Sequence, residues 1–394
     1  MKKTSSMITL ARRHRNFLPG MDEDLQRYFV SLLREESVNP PAASPERWNG
    51  AVSKLGPHCV LPLLYWKISS LPEDLRPPAE IITQLRTAFL YSSAKQLRAE
   101  TQLKELLKKF KDAHIRPLVL KGAALSRLVY PRPGLRPFSD IDLLVPAEEM
   151  EKAGEILTSS GYRCLCDRFE VYQDFKRDEV YTPPAKNGIT VELHWNLHSY
   201  YIRGRRMSTA GLFEKSVKVE LNDMVLETLN PVDSLIHAAV HLCFLHPESI
   251  RLIWLYDTAL LARTLKTDKD RAELMERSRE QGAYIAVLES LKLAGIWTGL
   301  DPPAGTPEFS HWPEPEEHEK KFFGTIMNKK KPGALFRASW PGSLTAAKKI
   351  KFLFFVVFPP VSILWRKYPS MKLAFLPVYY FKRWMEWIRR LHSA

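Results

Sequence analysis

The chain has 394 residues, 45% of them hydrophobic and 26% charged, which excludes a disordered polymer and allows two or three compact units with real cores. The net charge of +14 is gathered at the end: from Lys329 onward fourteen basic residues face a single acid, Glu386, leaving the body near neutral. A near-neutral body argues against nucleic acid as the partner, because nucleic-acid-binding domains carry a basic stripe of their own.

Residues 1 to 20 read as a poorly ordered start, basic but without the continuous apolar run of a secretory signal, so a cytoplasmic setting is the expectation. Asp22 to Glu36 has the period of an amphipathic helix, with Leu25, Tyr28, Phe29, Leu32 and Leu33 on one side. The stretch around Trp48, Val52, Leu55, Val60 and Leu64 continues in the same manner. Pro77-Pro78 then introduces a long helix over 79–113, whose last turn holds Lys108, Lys109 and Lys111, as the helix dipole favours. Residues 1–112 thus form a helical N-terminal region.

Over 113–230 the pattern alternates. Strands are predicted at 117–121, 138–145, 162–166, 179–184 and 189–195, with helices at 123–130 and 147–160, the second capped by Gly161. Val217 to Leu229 reads as a hairpin around Asn222-Asp223. The expected fold class is α+β, a mixed sheet with flanking helices. Four cysteines (Cys59, Cys164, Cys166, Cys243) make no disulfide scaffold, and Cys164 and Cys166 read as strand residues.

From Pro231 the sequence becomes helical, with helices predicted at 231–245, 249–265, 268–281 and 283–294, an α-helical subdomain over 231–299. Residues 300–345 are rich in Pro and Gly and read as a linker. The tail, 346–394, is basic and apolar. Phe352 to Trp365 is too short, and too broken by Pro359-Pro360, to span a bilayer, which needs about 20 residues. Its mixture of aromatic, apolar and cationic residues suits peripheral contact with an anionic membrane surface, or a helical hairpin docked on the body.

The chemistry is concentrated in two strands. Asp140 and Asp142 lie two residues apart in Ser139-Asp140-Ile141-Asp142-Leu143-Leu144-Val145, so both point to one face while Ile141, Leu143 and Val145 point to a core. Two carboxylates so close repel unless a cation lies between them, and hard divalent ions take such oxygen ligands together with substrate phosphates. Glu192 and His194 share a face of Thr190-Val191-Glu192-Leu193-His194-Trp195. An acid from a later strand completes the constellation that positions metals for in-line attack at phosphorus.

With Leu120-Lys121-Gly122, the Arg136-to-Asp142 segment and the Glu192-to-Trp195 strand together, the chain resembles an uncharacterised bacterial family within the DNA polymerase beta-like nucleotidyltransferase superfamily, over roughly residues 25 to 295. The resemblance implies transfer of a nucleoside monophosphate from an NTP to an acceptor hydroxyl with release of pyrophosphate. It implies Mg²⁺ or Mn²⁺ on Asp140, Asp142 and Glu192, and an NTP co-substrate, ATP being the expected one. Gly122, with Lys121 beside it, would receive the triphosphate at a helix start, although Ala123-Ala124 stand where better-known members place a serine. Arg136 either grips a phosphate oxygen or supports the turn at Pro133-Gly134.

His194 is a ligand for phosphate or hydroxyl, or a structural histidine. His237 and His241 are four apart on a helix but lack a zinc motif and read as packing residues. Asp257, in the apolar Ile253-Trp254-Leu255-Tyr256, needs a buried cation or a substrate group as partner. The resemblance raises His241 and Asp257 as acceptor-side residues. Two alternatives remain: a glycosyltransferase using Asp-x-Asp on a sugar nucleotide, and an inactive nucleotide-binding relative tethered by its tail.

Overall fold

A computed structural model of the chain describes residues 18–165, 177–197, 211–221, 224–299, 312–327 and 371–392, with isolated positions at 209 and between 346 and 370. The expected loose start up to residue 17, Cys166, the Asn222-Asp223 turn and much of 300–345 lie outside the described residues.

Helix α1 (Glu23–Leu33) begins on Asp22, whose carboxylate accepts hydrogen bonds from the amides of Asp24 and Leu25. It buries Leu25, Tyr28, Phe29, Leu32 and Leu33, the stripe that the sequence marks. Helices α2 (Pro45–Leu55) and α3 (Leu61–Ser69) close over it, and the rings of Tyr28, Phe29 and Trp48 meet edge to face. The 34-residue α4 (Ala79–Asp112) serves two cores. Ile81 and Leu85 join the N-terminal helices, while Ala99, Leu103, Leu106 and Phe110 pack beneath the sheet.

Seven strands form one mixed sheet among the described residues: β1 (Leu118–Leu120), β2 (Asp140–Leu144), β3 (Arg163–Cys164), β4 (Asp178–Thr182), β5 (Thr190–His194), β6 (Val217–Leu221) and β7 (Met224–Thr228). Their order is β3-β4-β5-β2-β1-β7-β6. Helix α5 (Lys121–Leu128) follows β1 directly, and α6 (Met150–Ser159) covers the lower face with α4. Ile141, Leu143, Val191 and Leu193 point into that lower core, which turns the alternate residues of β2 and β5 to the upper face.

Above the sheet lie α7 (Pro231–Val240), α8 (Leu252–Thr264), α9 (Asp268–Glu280) and α10 (Tyr284–Thr298). Asn230 caps α7, and the predicted single helix over 231–245 instead ends in a π-helical turn from His241 to Leu245. One further helix, α11 (Glu317–Met327), lies inside the stretch read as a linker. Phe323, Ile326 and Met327 are buried there, and Phe322 meets Phe244 edge to face, so core packing overrides a Pro-rich neighbourhood. The tail ends in α12 (Leu376–His392). No helix of the described residues is long and apolar enough to cross a membrane.

Candidate active site

Register assembles the site. Leu120 of β1 pairs with Asp142 of β2, and Asp142 pairs in turn with Glu192 of β5. Lys121 follows Leu120 at once, so three adjacent strands bring a lysine and two acids into one row. The lysine turns back through a left-handed conformation, with φ of +48°. A side chain other than glycine there costs about 1–3 kcal/mol and persists only where the surroundings impose it. The turn places Lys121 Nζ on Asp142 Oδ1 and 3.6 Å from Glu192 Oε2.

Asp142 is 1% exposed. His194 Nε2 lies 2.8 Å from its Oδ1 and 3.5 Å from Glu192 Oε2. Burial opposes the charge on Asp142, yet Lys121 and His194 hold its carboxyl well below the usual carboxylate range. Burial likewise works against charge on His194 and Lys121, but their acid partners hold both above their ordinary values. Asp140 stands one pleat period up the strand, about 6.6 Å away. Burial first, and then the charge of Asp142, raise its carboxyl.

The donor set suits a divalent cation. Asp142, Glu192 and His194 offer atoms that all lie within 4.8 Å of one another. Asp142 Oδ2 is buried and has no hydrogen-bond partner among the described residues, an orphaned anionic oxygen beside that cluster. The two carboxylates are oxygen ligands of the kind that Mg²⁺ and Mn²⁺ take, and His194 stands behind Asp142 through its Nε2 contact. His194 groups with Asp142 and Glu192, two of the three acids that the sequence put forward, and the third, Asp140, lies two residues before Asp142 on β2.

Gly122 lines the adjoining cavity, but the space that it leaves is already used. A Cβ there would meet Arg136 Nη1 at 2.5 Å and Phe138 Cβ at 2.5 Å. The glycine admits the chain segment that leads into β2. Gly122→Ala should therefore cost about 1–3 kcal/mol through overpacking, read as a lower urea midpoint; an unchanged midpoint would show that the segment yields freely. Ser126, the next hydroxyl, is buried against Ala123 O and Gln96.

Arg136 lines the same cavity and pairs with a carboxylate there. It is buried, with Nη2 2.7 Å from Asp257 Oδ2 and Nε 3.2 Å from Asp257 Oδ1, while Nη1 donates to Pro137 O. The Tyr130 hydroxyl donates to Asp257 Oδ1 at 2.7 Å. Asp257 thus finds a buried cation, and the pair ties the segment ahead of β2 to α8.

His237 and His241 both line the cavity. His241 packs against His246 and Trp254, with ring centroids 4.6 and 4.7 Å away. Burial holds both histidines well below their ordinary value, and burial with nearby Arg251 pushes His58 down to about 4. Unfolding lets all three take protons near pH 6.5. The stability from keeping them neutral is present above that value and falls as pH drops from 6.5 toward 5. His194, shifted the other way, changes its contribution only on the alkaline side. The urea midpoint should decline across that acid window and decline less in His237→Gln; a flat profile would contradict the burial of neutral imidazoles.

A family model described as uncharacterised nucleotidyltransferase matches residues 44–299, and the chain belongs to that family. No curated protein sequence matches the chain. Among solved structures, the solution structure of the antibiotic-resistance factor ANT(2'')-Ia is 13% identical, covering 47% of this chain and 92% of its own, with a TM-score of 0.35. An antigenic nucleotidyltransferase-like protein from Paracoccidioides brasiliensis is 14% identical over 48% and 93% of the two chains, with a TM-score of 0.30. A tRNA nucleotidyltransferase crystallised with a primer tRNA and an ATP analogue is 12% identical over 73% and 93%, with a TM-score of 0.21.

Proposed function

We propose that the protein transfers a nucleoside monophosphate from an NTP, ATP being the expected donor, to an acceptor hydroxyl, with a divalent metal held by Asp142, Glu192 and Asp140. The observation that carries this reading is the orphaned Asp142 Oδ2, buried beside a second carboxylate and an imidazole. Such a metal, when bound, neutralises triphosphate charge and lowers the pKa of the attacking hydroxyl. His194 orients Asp142 through its Nε2 contact, as groups behind a metal ligand commonly do. Glu192, the more exposed acid of the cluster, accepts the proton of the acceptor hydroxyl. The hydroxyl oxygen bonds to the α-phosphorus as the bond to the bridging oxygen breaks, and pyrophosphate leaves with that electron pair. Lys121, beside Asp142 and Glu192, lies next to this exchange and would add positive charge on the triphosphate side.

Mn²⁺ binding followed by electron paramagnetic resonance tests the metal assignment. Wild-type protein should bind the ion, more tightly with an NTP present, and Glu192→Gln should weaken binding at least about tenfold. Equal binding by the variant would refute the ligand set.

The tail completes the proposal with a membrane contact. Tyr380 donates to Pro359 O at 2.6 Å and Trp384 Nε1 to Val357 O at 2.7 Å, which turns one face of α12 inward. Leu373, Phe375, Val378 and Phe381 are each more than half exposed, with Lys372 and Lys382 exposed among them. An apolar stripe framed by lysines suits an anionic bilayer surface. The protein should sediment with phosphatidylglycerol vesicles and not with phosphatidylcholine alone. Phe381→Glu should cut that binding at least about tenfold, since burying one such ring contributes about 1.5–3 kcal/mol; binding that ignores the substitution would exclude this face.

A further inference from the structure

A cavity of about 350 Å³ adjoins Asp140, Lys121 and Gly122 and continues between α4 and the helices α7 and α8. Its charges are uneven. Asp257 is neutralised by Arg136, and Lys121 is taken by Asp142 and Glu192. Two further cations line the cavity, Lys95 on α4 and Arg251 just ahead of α8, and neither has a carboxylate partner among the described residues. Arg251 lies over the Trp254 ring, 5.2 Å from its centroid.

Two buried polar atoms accompany these cations. Ser92 Oγ and His237 Nε2 have no hydrogen-bond partner among the described residues, although their residues are 6% and 3% exposed and both line the cavity. An unsatisfied buried polar group costs free energy that a bound polar molecule restores. Their positions on two different helices, on either side of the cavity, mark it as built for a ligand with polar groups.

We propose that this cavity is the acceptor site, and that the acceptor carries a phosphate or carboxylate held by Lys95 and Arg251, with Ser92 and His237 hydrogen-bonding to its polar body. The inference rests on the nucleotidyl-transfer reading above. An anion gains charge-assisted bonds from both cations, whereas a polyamine acceptor meets two positive groups, because the unpaired acid on the cavity wall, Asp140, is a metal ligand in the nucleotidyl-transfer reading. A neutral imidazole and a hydroxyl each donate or accept, which suits a hydroxylated acceptor. Trp254 and Tyr91, also on the wall, favour an acceptor with a flat or apolar portion.

The test uses the full chain with Mg²⁺ and a saturating non-hydrolysable NTP analogue, titrated with phenyl phosphate and, separately, with phenethylamine. Phenyl phosphate should bind alongside the analogue. Arg251→Gln and Lys95→Gln should each weaken it at least about tenfold, with analogue affinity unchanged. Competition between phenyl phosphate and the analogue would overturn the assignment, because the anion site would then be the nucleotide's own. Binding of phenethylamine instead, or no binding of phenyl phosphate to the loaded protein, would overturn it as well. Failure of the analogue itself to bind would strike the nucleotidyl-transfer reading, and calorimetry registers that separately.

Discussion

Asp142→Asn should lower nucleotidyl transfer by a factor on the order of 10³, the scale of losing a central electrostatic group in a water-poor site. The same substitution should also reduce stability. Asp142 is the shared partner of Lys121 and His194, and removing one member of a buried ion pair costs about 3–5 kcal/mol in comparable cases. Asp140→Asn makes the informative contrast. Asp140 has no ion pair or side-chain hydrogen bond among the described residues, and its carboxyl is raised by burial and by its neighbour. Losing its charge should abolish transfer while leaving the urea midpoint equal or higher. Near-wild-type turnover in either variant would contradict the assignment, and a large stability loss in Asp140→Asn would contradict the electrostatics.

The second large effect is expected at Arg136 and Asp257. Arg136→Ala or Asp257→Ala leaves one charge buried without its counter-ion, so each should destabilise by about 3–5 kcal/mol. The joint replacement Arg136→Met with Asp257→Leu should recover much of that loss, because it removes both desolvation penalties. Denaturation curves of the three variants check the sign and the non-additivity. Were Arg136 chiefly a phosphate ligand, Arg136→Lys would weaken nucleotide binding and leave the curves unchanged.

The strands that carry the site are legible because their alternation is short-range. Apolar residues at 141, 143, 191 and 193 fix the buried face of β2 and β5, and the acids then have only one side to occupy. The parallel register that sets Asp142 against Glu192 joins strands about fifty residues apart, and no local pattern encodes it. The same holds for Arg136 and Asp257, which lie 121 residues apart and meet only when α8 closes over the sheet. The role of Lys121 depends on a left-handed turn that propensity disfavours, and strain of this kind collects at functional sites, where local rules fail.

Ser92 and Lys95 are hidden in the sequence for a different reason. They occupy ordinary polar positions on a long amphipathic helix, and only the packing of α7 and α8 opposite turns that face into a cavity wall. Helix α11 was obscured by its Pro-rich surroundings, yet Phe323 and Ile326 have a core to fill. Arg251 carried one faint signal, a cation beside Trp254 at the start of an otherwise apolar helix.

Metal-dependent nucleotidyl transfer at the Asp142 cluster is read out by incubating the protein with Mg²⁺, α-labelled NTPs and a cell extract as the source of acceptor, and following label transfer with pyrophosphate release. Wild-type protein should label an acceptor and release pyrophosphate in equal amounts, and chelation of the metal or Asp142→Asn should stop both. Label transfer that survives chelation and the substitution alike would contradict the account.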